Sequence, residues 1–242
     1  MKPFLIIKTG STFEDITRNK GDFEHWTANA MRLGPDQWQC VNVQGGEPLP
    51  DPDEFAGCVI TGSHDMITEA VDWMATTSFW VRKAVKAGLP MLGICFGHQL
   101  MADALGGKAA YHPDGMEIGT VEISLTGDAA DDPLFADIPN PFPAHVTHSQ
   151  TALELPPNAV LLAASDHDAH QAFRVGEHAW GVQFHPEFDV EATRFYVDLL
   201  REKIEKQGQD GDVIFDGVRE TVVSAGVLLR FVDYCLEREG GR

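Results

Sequence analysis

Met91-Leu92-Gly93-Ile94-Cys95-Phe96-Gly97-His98-Gln99 is the stretch that decides how the rest of the chain is read. Met91-Leu92-Gly93-Ile94 has the length and apolar character of a buried strand, and the residues beyond Cys95 suit a helix that ends at Gly106-Gly107. A cysteine at that junction, with Gly93 and Gly97 close on either side, has the pattern of a nucleophile elbow. Small neighbours permit the sharp turn, and a thiol at a helix N-terminus gains thiolate character from the positive end of the helix dipole. Taken alone, the pattern equally describes a buried cysteine packed between strand and helix.

Toward the N-terminus the same alternation repeats. Phe4 to Lys8 reads as a strand, followed by a polar loop and then by Phe23, Trp26, Ala30 and Leu33 at helical spacing until Gly34-Pro35. Trp38 to Val43 and Cys58-Val59-Ile60 read as two further strands, with a Pro- and Asp-rich loop between them. A helix is expected over Asp72 to Ala87, stopped by Gly88 and Pro90. Strands alternating with helices predict an α/β fold: a mostly parallel sheet covered on both faces, with ligands beyond the carboxyl ends of its strands. Cys95 falls at such an end.

Toward the C-terminus the pattern changes. Short strand-like runs, including Gly119 to Leu125, Val160 to Ala164 and Gln171 to Val175, predict an antiparallel extension of the sheet, and Trp180 to Phe184 reads as the last strand. One helix is expected from Val190 to Lys206, with Asp189 as N-cap and Phe195, Leu199 and Leu200 on its apolar side. After a loop over Gln207 to Asp212, Val218, Val222, Leu229, Val232 and Leu236 predict a terminal amphipathic helix. No internal repeat or linker stands out, so residues 1–242 are read as a single domain.

Composition narrows the partners. With 37 acidic against 18 basic residues the net charge is −19, a field that repels phosphate backbones and anionic lipids, so neither nucleic acid nor a membrane is expected. The apolar start of the chain is too short for a signal peptide or a membrane span, which leaves a reducing cytoplasm as the expected compartment. Cys40, Cys58, Cys95 and Cys235 lack disulfide-framework or zinc spacing, and His145, His148, His167 and His170 form only a loose cluster. No metal and no cofactor are expected.

A thiolate that attacks an amide needs a proton donor for the leaving amine, and that donor must be oriented. His185-Pro186-Glu187 directly follows a strand. If that strand neighbours the one before Cys95, His185 reaches the thiol and Glu187 fixes the imidazole. Separately, each residue has an ordinary reading, as a satisfied histidine and a carboxylate in the first turn of a helix.

Together, Gly93-Ile94-Cys95-Phe96-Gly97-His98-Gln99 and Gly181-Val182-Gln183-Phe184-His185-Pro186-Glu187 resemble, in order and separation, the two signatures of class I glutamine amidotransferases. The resemblance spans roughly Phe4 to Leu200 and leaves a terminal helix, about 217–238, outside it. It implies a flavodoxin-like three-layer sandwich with Cys95 as nucleophile, His185 as general acid and base, and Glu187 as the residue orienting it. It further implies an oxyanion hole from the backbone N–H groups of Ser63 and Phe96, with Gly62 adjacent, and substrate contacts from Gln99, Ser149 and Gln150. His64 stands where many relatives have Pro, and His148-Ser149-Gln150 lacks the Asp often found there.

The chemistry so implied is release of ammonia from glutamine through a cysteinyl thioester, for a separate ammonia-accepting synthase, because the chain shows no phosphate-binding loop of its own. It resembles stand-alone members related to the amidotransferase domain of GMP synthase. An independent hydrolase of L-glutamine-like γ-glutamyl amides or peptides is the alternative. A protein of the DJ-1/PfpI type also carries a cysteine elbow, but there a His commonly follows the Cys, and Phe96 stands in that place. A catalytically silent subunit is opposed by the complete set of reactive residues.

Overall fold

The computed structural model describes residues 2–241. In its first half, β1 (Phe4–Lys8), α1 (Glu14–Lys20), α2 (Phe23–Ala30), β2 (Trp38–Asn42), β3 (Gly57–Ile60), α3 (Asp72–Ala87), β4 (Met91–Ile94) and α4 (Phe96–Ala104) follow one another. Strands then dominate: β5 (Lys108–Tyr111), β6 (Glu117–Leu125), β7 (Phe142–His148), β8 (Gln150–Glu154), β9 (Val160–Ala164), β10 (Ala172–Val175) and β11 (Ala179–Val182). Four helices close the chain: α5 (Val190–Leu199), α6 (Arg201–Lys206), α7 (Gly211–Gly217) and α8 (Val222–Gly240).

Nine strands form one sheet in the order β2-β1-β3-β4-β11-β10-β9-β6-β7, and β5 pairs with β8 in a separate ribbon. From β2 to β11 the pairings are parallel, and from β11 to β7 they are antiparallel. This is the mixed α/β sandwich expected from the sequence. The central strands are apolar at every position because alternate residues serve two cores. Leu5, Ile7, Cys58, Ile60 and Met91 pack against Val81 and Ala84 of α3 and Leu100 and Met101 of α4. On the other face Phe4, Val59, Leu92 and Ile94 meet Val227, Leu228, Phe231 and Cys235 of α8.

Four local expectations need correction. The polar loop after β1 contains α1, whose Glu14 and Asp15 at the start and Arg18 and Lys20 at the end complement the helix dipole. The single helix expected from Val190 to Lys206 breaks at Leu200 (φ −96°, ψ 9°) into α5 and α6, although Asp189 does cap it, its side chain accepting from Ala192 N at 2.8 Å. The face α5 buries is Ala192, Thr193, Tyr196 and Val197, and Leu199 is 47% exposed. Finally, α7 intervenes where a loop and the start of the last helix were expected, because Asp210 accepts from Asp212 N and Val213 N and nucleates a turn there.

The last helix is therefore shorter and differently phased. Val218 precedes it and is buried with Met116, Ile118, Val197 and Ile204, whereas Val222 is 77% exposed. Its buried face is Ser224, Val227, Leu228, Phe231 and Cys235, with Val232 and Leu236 only flanking it. No described helix is long and apolar enough to cross a membrane.

Candidate active site

The site forms because β4 and β11 are parallel neighbours. Ile94 is registered with Val182, and Cys95 N donates to Val182 O at 2.8 Å. Cys95 and His185, one and three residues past those positions, thus emerge at the same carboxyl edge of the sheet. The turn into α4 is tight enough to hold Cys95 at φ +51°, ψ −101°, a conformation disfavoured for any residue with a Cβ.

Two glycines make that turn possible. A Cβ on Gly93 would lie 2.5 Å from the Gly97 carbonyl, and one on Gly97 would lie 2.4 Å from the carbonyl oxygen of Ile60. Both obstacles are backbone, so neither can swing aside. Gly97→Ala is expected to destabilise the fold by about 3 kcal/mol or more, as overpacking against a rigid neighbour does. The check is urea unfolding followed by circular dichroism, and a midpoint equal to that of the parent protein would refute it.

His185 is 3% exposed, and its Nδ1 lies 2.8 Å from Glu187 Oε1. Its ring stacks on Phe188 with centroids 4.0 Å apart, and its backbone N–H donates to His145 O at 2.8 Å, so the imidazole is held on two sides. Nε2 is buried and has no hydrogen-bond partner among the described residues. Burial acts to lower the His185 pKa, but the charges of Glu187 and Cys95 outweigh it and push it up to about 10. The Cys95 thiol itself is 3.8 Å from the carbonyl of Thr147.

The cavity at this edge, of about 280 Å³, is lined by Cys95 and His185 together with Ser63, Phe96, Gln99, Ser149 and Gln150 from the sequence-based set. Gly62 stands beside it, where an added Cβ would meet His185 Cε1 at 3.3 Å. Phe96 opens α4, so its N–H has no acceptor within the helix. The Ser63 side chain is occupied, its Oγ accepting from Asp65 N at 3.1 Å, which shapes the loop that carries its backbone.

The three expected substrate contacts differ in what they have free. Gln99 Nε2 donates to Gln150 O at 2.7 Å and to Gln183 Oε1 at 3.0 Å. The Gln150 side chain bridges to the 66–69 segment, accepting from Ile67 N and donating to Thr68 Oγ1 at 2.7 Å. These amides brace the cavity wall. Ser149 Oγ accepts from Lys203 Nζ at 2.7 Å.

Several lining residues escaped the sequence reading. Phe13, Phe23, Met66, Met116, Phe188 and Leu200 give the cavity an apolar flank. Tyr196 OH sits between His64 Nε2 at 2.9 Å and Thr12 Oγ1 at 2.8 Å, and burial lowers the pKa of His64, so it is neutral at pH 7. Beneath the site His148 Nε2 meets Glu117 Oε2 at 3.0 Å, with Gln171 Nε2 and Ser165 Oγ also donating to Glu117. Phe188 follows Glu187 directly, and His64 and His148 lie in segments that the sequence already marks. No group of three or more described His, Cys, Asp or Glu residues has a metal-binding arrangement.

The chain is similar to known proteins over most of its length. The family model described as glutamine amidotransferase class-I matches residues 52–203. Gamma-glutamyl peptidase 5 of Arabidopsis thaliana is 33% identical over 204 residues, 82% of this chain and 81% of that protein. A glutamine-hydrolyzing GMP synthase subunit of Methanococcus vannielii is 30% identical over 174 residues, 71% of this chain and 86% of that protein. A glutamine amidotransferase crystal structure from Thermotoga maritima shares the fold, with a TM-score of 0.74 at 22% identity over 98% of this chain and 99% of that one. With its family model covering more than half of its length, the chain belongs to the class I glutamine amidotransferases.

Proposed function

We propose that the protein hydrolyses the amide bond of γ-glutamyl compounds through a thioester on Cys95, with an amine larger than ammonia as the preferred leaving group. The observation that carries the chemistry is the alignment of Cys95, His185 and Glu187 at the ends of two adjacent parallel strands. The thiolate attacks the amide carbon, and the oxyanion takes hydrogen bonds from the N–H groups of Ser63 and Phe96. Imidazolium at His185 gives its proton to the departing amine. Neutral His185 then takes a proton from water, which cleaves the thioester and releases glutamate and the free thiol.

The aromatic flank favours the larger leaving group. Phe13, Phe23 and Phe188 line the same cavity as the thiol, and ammonia offers such a wall nothing to bury. The similarity to proteins named gamma-glutamyl peptidases, over more than four-fifths of both chains, supports the same choice. The second reading is delivery of ammonia from glutamine to a separate synthase, and it is favoured by the similarity to a GMP synthase subunit that is itself a separate chain.

Glutamate release from γ-L-glutamyl-phenethylamide, γ-L-glutamyl-ethylamide and L-glutamine separates the two. The alkylamines are comparable leaving groups and differ in apolar area, so burial of the phenyl ring should raise kcat/KM about tenfold or more over the ethylamide. Glutamine turned over better than both amides, with a further rise on adding a synthase, would establish the second reading instead.

A further inference from the structure

We infer that Lys203, held by Ser149 at the cavity wall, is a specificity-determining residue that binds a carboxylate of the substrate. The inference rests on the γ-glutamyl reading and adds to it which side chain recognises the acid. Among the described lining residues Lys203 is the one lysine or arginine. Its ammonium donates to Ser149 Oγ at 2.7 Å, and no described carboxylate forms an ion pair with it. Lys8, Lys20, Lys83 and Lys206, by contrast, each lie within 4 Å of an acidic partner.

A γ-glutamyl compound carries an α-carboxylate, and holding that group in a cavity of a chain of net charge −19 calls for a local positive charge. The cavity histidines are poor sources of it. His64 is kept neutral by burial, His148 faces Glu117, and the His185 charge faces Glu187 and the thiol. Lys203 is exposed and free to supply it. Its helix α6 is seated by Ile204, which is fully buried, and by Leu200 just before the helix, which lines the cavity.

Gln150, beside Ser149 in the wall, has its side chain committed to Ile67 and Thr68. Ser149 instead presents the Lys203 ammonium. A carboxylate entering the cavity replaces water on Lys203 and accepts a charge-assisted hydrogen bond. The acid is either the α-carboxylate of the γ-glutamyl group or a carboxylate on the leaving amino acid.

The test is calorimetric binding to Cys95→Ala protein, which cannot turn ligand over, with and without Lys203→Met. L-Glutamine carries only the α-carboxylate, γ-L-glutamylglycine carries both acids, and 4-aminobutanamide is glutamine without its carboxylate. Lys203→Met is expected to weaken glutamine and γ-L-glutamylglycine about tenfold and to leave 4-aminobutanamide unchanged, with Lys203→Arg close to the parent. Weakening of γ-L-glutamylglycine alone assigns the contact to the leaving group. Dissociation constants unchanged by Lys203→Met for both acids, or no binding of either to the parent, overturn the inference. Failure of the γ-glutamyl reading shows separately, as absence of Cys95-dependent turnover in the otherwise unaltered protein.

Discussion

Cys95→Ala is expected to lower kcat for γ-glutamyl amide hydrolysis by at least about 10⁴-fold, because removing the nucleophile of a catalytic unit leaves only binding and oxyanion stabilisation. Cys95→Ser should fall nearly as far, since a hydroxyl is far harder to ionise beside His185 than a thiol. The three other cysteines offer no substitute. Burial pushes the thiols of Cys40, Cys58 and Cys235 up, that of Cys40 to about 11, so they stay protonated and unreactive at neutral pH. Iodoacetamide at pH 7 should therefore label Cys95 ahead of them and abolish turnover in step with labelling. Release of glutamate by Cys95→Ala at the parent rate would remove the thioester mechanism altogether.

The elements that position this thiol were legible in sequence because local chemistry fixes them. Gly88 ends α3 in a left-handed conformation at φ 77°, and apolar strands of four or five residues sit where the parallel core buries both faces. The Cys95 segment stands out because it directly follows such a strand, and the His185 segment because it begins within three residues of one. What was missed depends on tertiary context. Strands β5, β7 and β8 mix polar and apolar residues, since β7 carries His145 and His148 into a buried polar network rather than a greasy core.

The same holds for helix phase. A stripe of Leu229, Val232 and Leu236 competes in sequence with Val227, Leu228, Phe231 and Cys235, and both have helical spacing. Only the partner decides between them: Gly57 leaves room for Cys235 Sγ, 2.6 Å from where a Cβ would stand, and so seats α8 on that side. The cavity flank was illegible for a related reason. Phe13, Tyr196 and Lys203 are far apart in the chain and meet only after the sheet has formed, so no window of sequence contains the wall they build.

Glu187→Gln is the second large effect, and its diagnostic is the pH profile. Burial would by itself lower the His185 pKa, yet the Glu187 and Cys95 charges hold it at about 10. A group raised in this way keeps its proton until pH climbs through that value, so the imidazolium persists across neutrality and kcat/KM should fall only as pH approaches about 10. The interaction with Glu187 likewise stabilises the fold fully below the ordinary histidine pKa of about 6.5 and is lost as pH rises toward the folded value. Gln removes the charge and leaves the burial, so the alkaline limb moves to lower pH while kcat at pH 7 drops by about 10²- to 10⁴-fold, as when an orienting carboxylate is neutralised. Glu187 Oε2 is buried without a partner among the described residues, so the substituted amide also strands a donor there and can pull the imidazole out of line. Glu187→Asp keeps the charge and should hold the alkaline limb near its parent position even where kcat suffers. An alkaline limb that stays in place in Glu187→Gln would mean that the Cys95 thiolate alone supports the imidazolium, and that Glu187 serves only to orient the ring.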